Sequence, residues 1–356
     1  MNDTNSQKHP SKRQQGILMF LLANPRSSHD QITDSIPEKE RPTRVTISRD
    51  LKILVDLKYI VSEGKTKGVV YSINSQKLLW IPLEVDDYYA KSSDERDVPF
   101  EKFNPKVFEY VGNTLFSKKE LEIFDKGKKH LSEKMKNLEN IYVKKELERF
   151  VIELSWKSSQ IEGNTYSLLE TEELIKNKKE AKGRDHLEAV MILNHKKAFD
   201  TILEHREKYT DISLHDIRTI HSVLVDSLNV PTGIRERAVG ITGTKYVPLD
   251  NKWQIEDAMS KLIKGLRRIE DIPSKALFLL AMISYVQPFA DGNKRTARMV
   301  SNAILLANGF YPLSYRSVDE VEFKRVILMF YEQNNIFNLK EIFLEQQQFA
   351  IKTYFM

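Results

Sequence analysis

The chain has 356 residues, with 55 Lys plus Arg against 50 Asp plus Glu, and no cysteine. That length accommodates two domains, or one large domain with an appended module, and the lack of cysteine excludes disulfides and thiolate metal centres while permitting a reducing compartment. Met1 to Gln15 is polar and lacks the apolar core of a signal peptide, and the longest apolar runs, Ile17 to Ala23 and Ala276 to Ser284, fall short of the roughly 20 residues that span a bilayer. A soluble, cytoplasmic chain with no membrane partner is therefore expected.

Charge is concentrated at one end. Lys8 to Ser75 holds 12 Lys plus Arg against 7 Asp plus Glu, and the remainder is balanced. Gln14 to Ala23 reads as an apolar helix, and a turn at Asn24 and Pro25 leads to a second helix opened by Ser27 or Ser28. From Thr43 to Leu57, Ile47, Leu51, Leu54 and Val55 share one helical face, opposite Arg44, Ser48, Arg49 and Lys52. Tyr59 to Val61 and Val69 to Ile73 then read as a hairpin turning at Gly64 to Gly68, with Lys65 and Lys67 at its tip. Three short helices and a basic-tipped hairpin over residues 10–75 resemble a winged helix-turn-helix domain. The resemblance implies double-stranded DNA as a partner, with Arg44, Thr46, Arg49 and Lys52 in the major groove and Lys65 and Lys67 on phosphate.

Residues 76–110, with Pro82, Pro99 and Pro105, read as an irregular connector. The remainder is mainly α. In residues 111–165 one helix is capped by Ser117 and ends near Asn137, and a second runs from Ile141 to Ile161, stopped by Gly163 and Asn164. Residues 166–345 carry helices over Ser167 to Lys178, Asp185 to Tyr209, Ser213 to Asp226, Ile255 to Ile269, Ser274 to Tyr285, Lys294 to Asn308 and Val318 to Glu332. Between them, Arg237 to Leu249 alternates around a turn at Thr242, Gly243 and Thr244, as a β-hairpin does.

The segment with chemistry in it is Gln287 to Arg298, between two helices. Gly292 and Asn293 tolerate unusual backbone angles, so successive amides can converge, and the helix beginning near Lys294 points its unpaired N–H groups and positive dipole end at the same spot. Lys294, Arg295 and Arg298 add full positive charges. Asp291 is a hard oxygen ligand suited to Mg²⁺ shared with phosphates. From the residues alone, this is a candidate nucleotide-phosphate and magnesium site.

The string resembles the Fic (Fido-domain) signature His-x-Phe-x-(Asp/Glu)-Gly-Asn-(Gly/Lys)-Arg-x-x-Arg at every defined position except the first, where Gln287 stands. The likeness covers roughly residues 100 to 345. It implies ATP and Mg²⁺, with Phe289 anchoring the loop, Asp291 on the metal, Gly292, Asn293 and Lys294 as the anion cradle, and Arg295 and Arg298 on the phosphates. Ser158, Glu162, Gly163 and Asn164 resemble the family's inhibitory motif, whose glutamate pairs with the second motif arginine, here Arg298. Thr242, Gly243, Thr244, Lys245 and Tyr246 match the flap that aligns a segment of a target protein by strand addition.

In the family the histidine takes the proton of a target hydroxyl as it attacks the α-phosphate of ATP. A carboxamide has no useful basicity near neutral pH, so Gln287 can orient a hydroxyl but not deprotonate it. His186, His195, His205, His215 and His221 lie outside the motif, and no spacing brings one to it. Two readings follow: an autoinhibited protein adenylyltransferase weakened or silenced by Gln287, or an ATP-sensing DNA-binding regulator with an inactive Fic core.

Overall fold

The computed structural model describes residues 10–96, 98–110 and 114–355; residues 111–113 of the expected 111–165 segment lie outside them. The amino-terminal module is built in the order α1 (Lys12–Ala23), β1 (Ser27–Ser28), α2 (His29–Asp34), α3 (Arg44–Asp56), β2 (Ile60–Glu63), β3 (Val70–Ile73). The three strands form one antiparallel sheet with β3 in the centre, the arrangement of a winged helix. Ser28, one of the two expected caps, opens α2 with a reciprocal Gln31 contact, and Thr43 opens α3, whereas α1 starts two residues before the expected Gln14, behind a Ser11 cap. Ile17, Leu18, Leu21, Ile32, Ile47, Leu51, Leu54 and Ile60 form its core.

The stretch expected as an irregular connector is partly helical, with α4 (Val85–Tyr89) and α5 (Val107–Tyr110), and it is docked rather than loose. Ile81 and Leu83 join the winged-helix core together with Met329 of the body, and the Asn335 and Asn338 side-chain amides donate to the Ile81 and Leu83 carbonyls.

The body comprises α6 (Lys118–Asn137), α7 (Asn140–Ile161), α8 (Leu168–Asn177), α9 (His186–Glu204), α10 (Leu214–Leu224), α11 (Lys252–Arg268), α12 (Ile272–Val286), α13 (Asn293–Ala307), α14 (Glu320–Gln333) and α15 (Phe337–Thr353). Helix α12 is predominantly apolar and is buried without interruption from Ala276 to Val286, and α13 packs against it. Among the described residues no helix is long and apolar enough to cross a membrane.

Two expectations change here. The sequence pattern places the last helix at Val318 to Glu332, yet a further one, α15, follows and packs on α6. Arg237 to Leu249 turns at Thr242 and Gly243 but forms no ladder with itself; its one bridge is parallel, Lys102 to Val247. A side chain replaces the missing ladder. The buried Arg235 guanidinium donates to the Arg237 carbonyl at 2.6 Å and to the Leu249 carbonyl, holding both arms at once.

Candidate active site

Helix α12 ends on Gln287, a non-glycine residue in the left-handed region at φ 51°, which costs about 1 kcal/mol or more and persists only where surroundings fix it. Here they do. Its side-chain amide donates to the Ser284 carbonyl at 2.6 Å and to the Tyr331 hydroxyl at 3.4 Å, and its oxygen accepts from Asn293 Nδ2 at 3.0 Å. Its main-chain carbonyl accepts from Arg235 Nε at 2.7 Å. Gln287 is thus a buried loop brace with both ends of its amide engaged.

The loop that follows is drawn tight by Asn293, which accepts from the Phe289 N–H at 2.8 Å and donates to the Phe289 carbonyl at 2.9 Å. Phe289 is fully buried. Gly292 sits at φ 79° as the N-cap of α13 and supplies no capping side chain, so the first amides of that helix keep their anion-binding capacity. A Cβ here would lie 3.0 Å from Val225 Cγ1.

Both arginines lie on α13 and are buried. Arg295 Nη2 pairs with Asp291 Oδ2 at 2.9 Å, and desolvation holds its guanidinium below the ordinary arginine range. Arg298 donates from Nε to Ser158 Oγ and from Nη2 to the Ser158 carbonyl, both at 2.9 Å, and from Nη2 to Glu162 Oε1 at 2.8 Å. Lys294 Nζ lies 3.9 Å from the other Glu162 oxygen. Burial pushes the Glu162 carboxyl up, but Arg298 and Lys294 outweigh it, leaving it below the usual carboxylate range. Two buried nitrogens, Arg295 Nη1 and Arg298 Nη1, have no partner among the described residues. They suit a phosphate, which accepts several such bonds.

The structure therefore brings Ser158 and Glu162, from the end of α7, onto Arg298 across 140 and 136 residues of sequence. Gly163 follows at φ 102°, and the Asn164 side-chain amide donates to the Glu188 carbonyl at 2.9 Å, tying the turn between α7 and α8 onto α9.

Two histidines expected outside the site belong to its walls, which corrects that expectation. His221 on α10 stacks on Phe289, with centroids 3.7 Å apart, and donates from Nε2 to the Asp291 carbonyl at 3.0 Å. His195 on α9 donates from Nδ1 to the Met191 carbonyl and accepts from the Ser158 hydroxyl at Nε2, each at 2.9 Å. That leaves Ser158 Oγ oriented to accept from Arg298. Desolvation lowers His195 to about 3 and His221 to about 4, so both are neutral hydrogen-bonding struts. Sequence spacing carried no signal for them or for Arg235.

The amino-terminal candidates lie apart from this site. Arg44, Arg49, Lys52 and Lys65 are exposed; Arg44 pairs with Asp30 at 3.0 Å and Thr46 Oγ1 bonds Thr43 Oγ1 at 2.9 Å. The side chain of Lys67 lies outside the described residues.

The site is a buried central helix pair joined by a glycine loop, with two arginines and an uncapped helix start converging on it. A model of the Fic/DOC family matches residues 211–305, the span that holds this loop. Protein adenylyltransferase Fic of Nematostella vectensis is 29% identical over 177 residues, covering 47% of this chain and 40% of its own. A probable protein adenylyltransferase of Aquifex aeolicus is 29% identical over 100 residues, covering 28% and 31%. The chain thus spans less than half the length of these curated relatives. Among solved structures, a Fic-1 fragment from Caenorhabditis elegans superposes with a TM-score of 0.54 at 15% identity, covering 96% of this chain and 81% of that one. A Fic-domain-containing signalling protein from Bacteroides thetaiotaomicron gives 0.52 at 19% identity, covering 64% and 96%. At these identities the superpositions establish the fold.

Proposed function

We propose that the chain is a nucleotide-binding protein of the protein adenylyltransferase type, held in an inhibited state and weakened or silenced by Gln287. The observation that carries this is the Glu162–Arg298 pair at 2.8 Å, closed over a loop whose other anion-binding groups are in place. In the active form, a hydroxyl oxygen of a target Ser, Thr or Tyr would attack the α-phosphorus of ATP, pyrophosphate would leave, and AMP would remain on the target. Arg295, Arg298 and the α13 amides would hold the phosphates, and Lys294 would add charge beside them. Glu162 occupies an Arg298 nitrogen that a phosphate would otherwise take.

Among the described residues there is no group of three or more His, Cys, Asp or Glu able to hold a metal. Mg²⁺ would rest on Asp291, whose side chain is 68% exposed, with nucleotide oxygens completing its shell, and it would supply charge neutralisation to the phosphates. The proton of the target hydroxyl is where the reaction is impaired. Gln287 has no basicity, and both ends of its amide are engaged. General-base catalysis is typically worth about 10²- to 10⁴-fold, so restoring histidine should raise transfer by that order.

The test is incorporation of α-labelled ATP with Mg²⁺ by the unaltered chain, Glu162→Gly, Gln287→His and the double variant. Label in the double variant far above the other three supports an inhibited site that lacks its base. Label in none of them, with no ATP binding by Glu162→Gly, overturns the reading.

A second reading is supported by the exposed basic face of α3. An ATP-sensing regulator would bind double-stranded DNA through Arg44, Thr46, Arg49, Lys52, Lys65 and Lys67, with an affinity that falls as salt rises and shifts with ATP. Gel-shift titrations at low and high salt, with and without ATP, test it; no DNA binding at low salt excludes it.

A further inference from the structure

The segment expected to receive a target strand, Arg237 to Leu249, already has a neighbour from its own chain. Val247 N–H donates to the Glu101 carbonyl at 2.7 Å, and Lys102 and Val247 form a parallel bridge. Four residues earlier, the Gly243 carbonyl accepts from Arg96 Nη2 at 2.7 Å, and Lys245 Nζ reaches back to the Arg96 carbonyl at 3.4 Å. Arg96 meets the flap at its turn and Glu101 and Lys102 meet it at Val247, so the connector runs alongside the flap in the same direction.

Arg96 is anchored well enough to fasten that contact. It is buried, with Nε 3.1 Å from Glu332 Oε2 and Nη2 2.9 Å from Glu332 Oε1. Glu332 is itself fully buried on α14, accepts from the Tyr88 hydroxyl, and gives its main-chain carbonyl to the Phe100 N–H at 3.2 Å. The Tyr89 ring lies 4.7 Å from the guanidinium. A charged, two-pronged bond to a carboxylate fixes the guanidinium plane, and the same nitrogen then reaches the flap.

We propose that the connector is a built-in occupant of the flap edge, fastened by Arg96 as a positioning residue. Main-chain groups on an extended edge are what an added strand pairs with. The Val247 N–H is committed to Glu101, so an incoming target segment pairs along the opposite edge or displaces the connector. That consequence for a target rests on the adenylyl-transfer reading; the contact does not.

Hydrogen–deuterium exchange on the full chain, without ATP or target, tests the contact and leaves the transfer reading untouched if it fails. Arg96→Met alone strands a buried carboxylate, so Arg96→Met with Glu332→Gln is the informative variant. Peptides covering 98–103 and 243–249 should lose protection together, exchanging at least about tenfold faster, while α12 and α13 keep theirs. If the double variant does not fold, Arg96→Lys carries the test: it keeps a charge on Glu332 but lacks the planar fork, and 243–249 should still exchange faster. Unchanged protection of 243–249 in the folded variant overturns the proposal, as does free exchange at Val247 in the unaltered chain.

Discussion

Two segments of this chain alternate around a glycine turn, and they behave differently. In the wing, Ile60–Glu63 and Val70–Ile73 pair residue for residue, from Ile60 with Ile73 to Glu63 with Val70, and β3 also pairs β1. In the flap the two arms never pair. Arg235 bonds the Arg237 and Leu249 carbonyls, the Tyr246 hydroxyl donates to the Tyr285 carbonyl at 2.8 Å, and Val247 pairs with the connector. Alternation records which side chains are buried and says nothing of where the main-chain bonds go. A wing sustains itself, whereas this flap takes its shape from the walls it leans on, and those walls are the motif loop and the connector.

The difference can be broken by acid. His221 braces the motif loop to which Arg235 ties the flap, His195 orients the Ser158 hydroxyl that accepts from Arg298, and burial lowers them to about 4 and about 3, below the ordinary 6.5. Depressed values mean the unfolded chain binds more protons below about pH 6.5. Their stabilising contribution is complete above that pH and is lost progressively as pH falls toward the folded values, at about 1.4 kcal/mol per pH unit for each histidine. All three tryptophans, Trp80, Trp156 and Trp253, lie outside the winged helix, so urea titrations followed by tryptophan fluorescence report on the body. Stability should fall from pH 6.5 to 5, and His195→Gln with His221→Gln should flatten the slope. A flat profile in the unaltered chain contradicts the neutral-strut assignment.

Next in size is Arg235→Met. Removing a buried guanidinium that serves the Gln287, Arg237 and Leu249 carbonyls should cost about 3 kcal/mol, measured by the same titration, and should speed exchange across 237–249 without touching β2 and β3. Loss confined to global stability, with flap exchange unchanged, would mean that other contacts shape the flap.

What the sequence disclosed follows the range of the forces involved. The motif loop was legible because an anion cradle made from one turn and one helix start is contiguous, Gln287 to Arg298, and each residue type there has a local reason. Helix starts were legible for the same reason: Ser28, Thr43, Ser117, Ser167 and Ser213 each cap within three residues. The Glu162–Arg298 pair came from a resemblance, since 136 residues separate its partners. Arg235, His195 and His221 act across the fold and left no local mark. Helix α15 leaves no clear stripe in the sequence because its buried face includes Lys340, Gln346 and Gln347, which blur the apolar pattern that identifies a helix.

The smallest effects sharpen the wing–flap contrast through one glycine in each. Gly64 sits at φ 96°, and a Cβ there would come within 2.4 Å of the Gly68 carbonyl oxygen, a main-chain atom that cannot rotate away. Gly64→Ala should cost about 2 kcal/mol, with the loss confined to the wing. Gly243 has a similar φ of 84°, but the nearest atom to its Cβ would be Leu328 Cδ1 at 3.6 Å, an ordinary contact. Gly243→Ala should therefore cost only the backbone penalty, about 1 kcal/mol. Exchange at β2 and β3 should rise clearly in the first variant, and exchange at 243–249 only slightly in the second. Equal losses in the two would mean the flap turn is packed as tightly as the wing turn, and the contrast between a self-paired hairpin and a supported loop would fail at its tip.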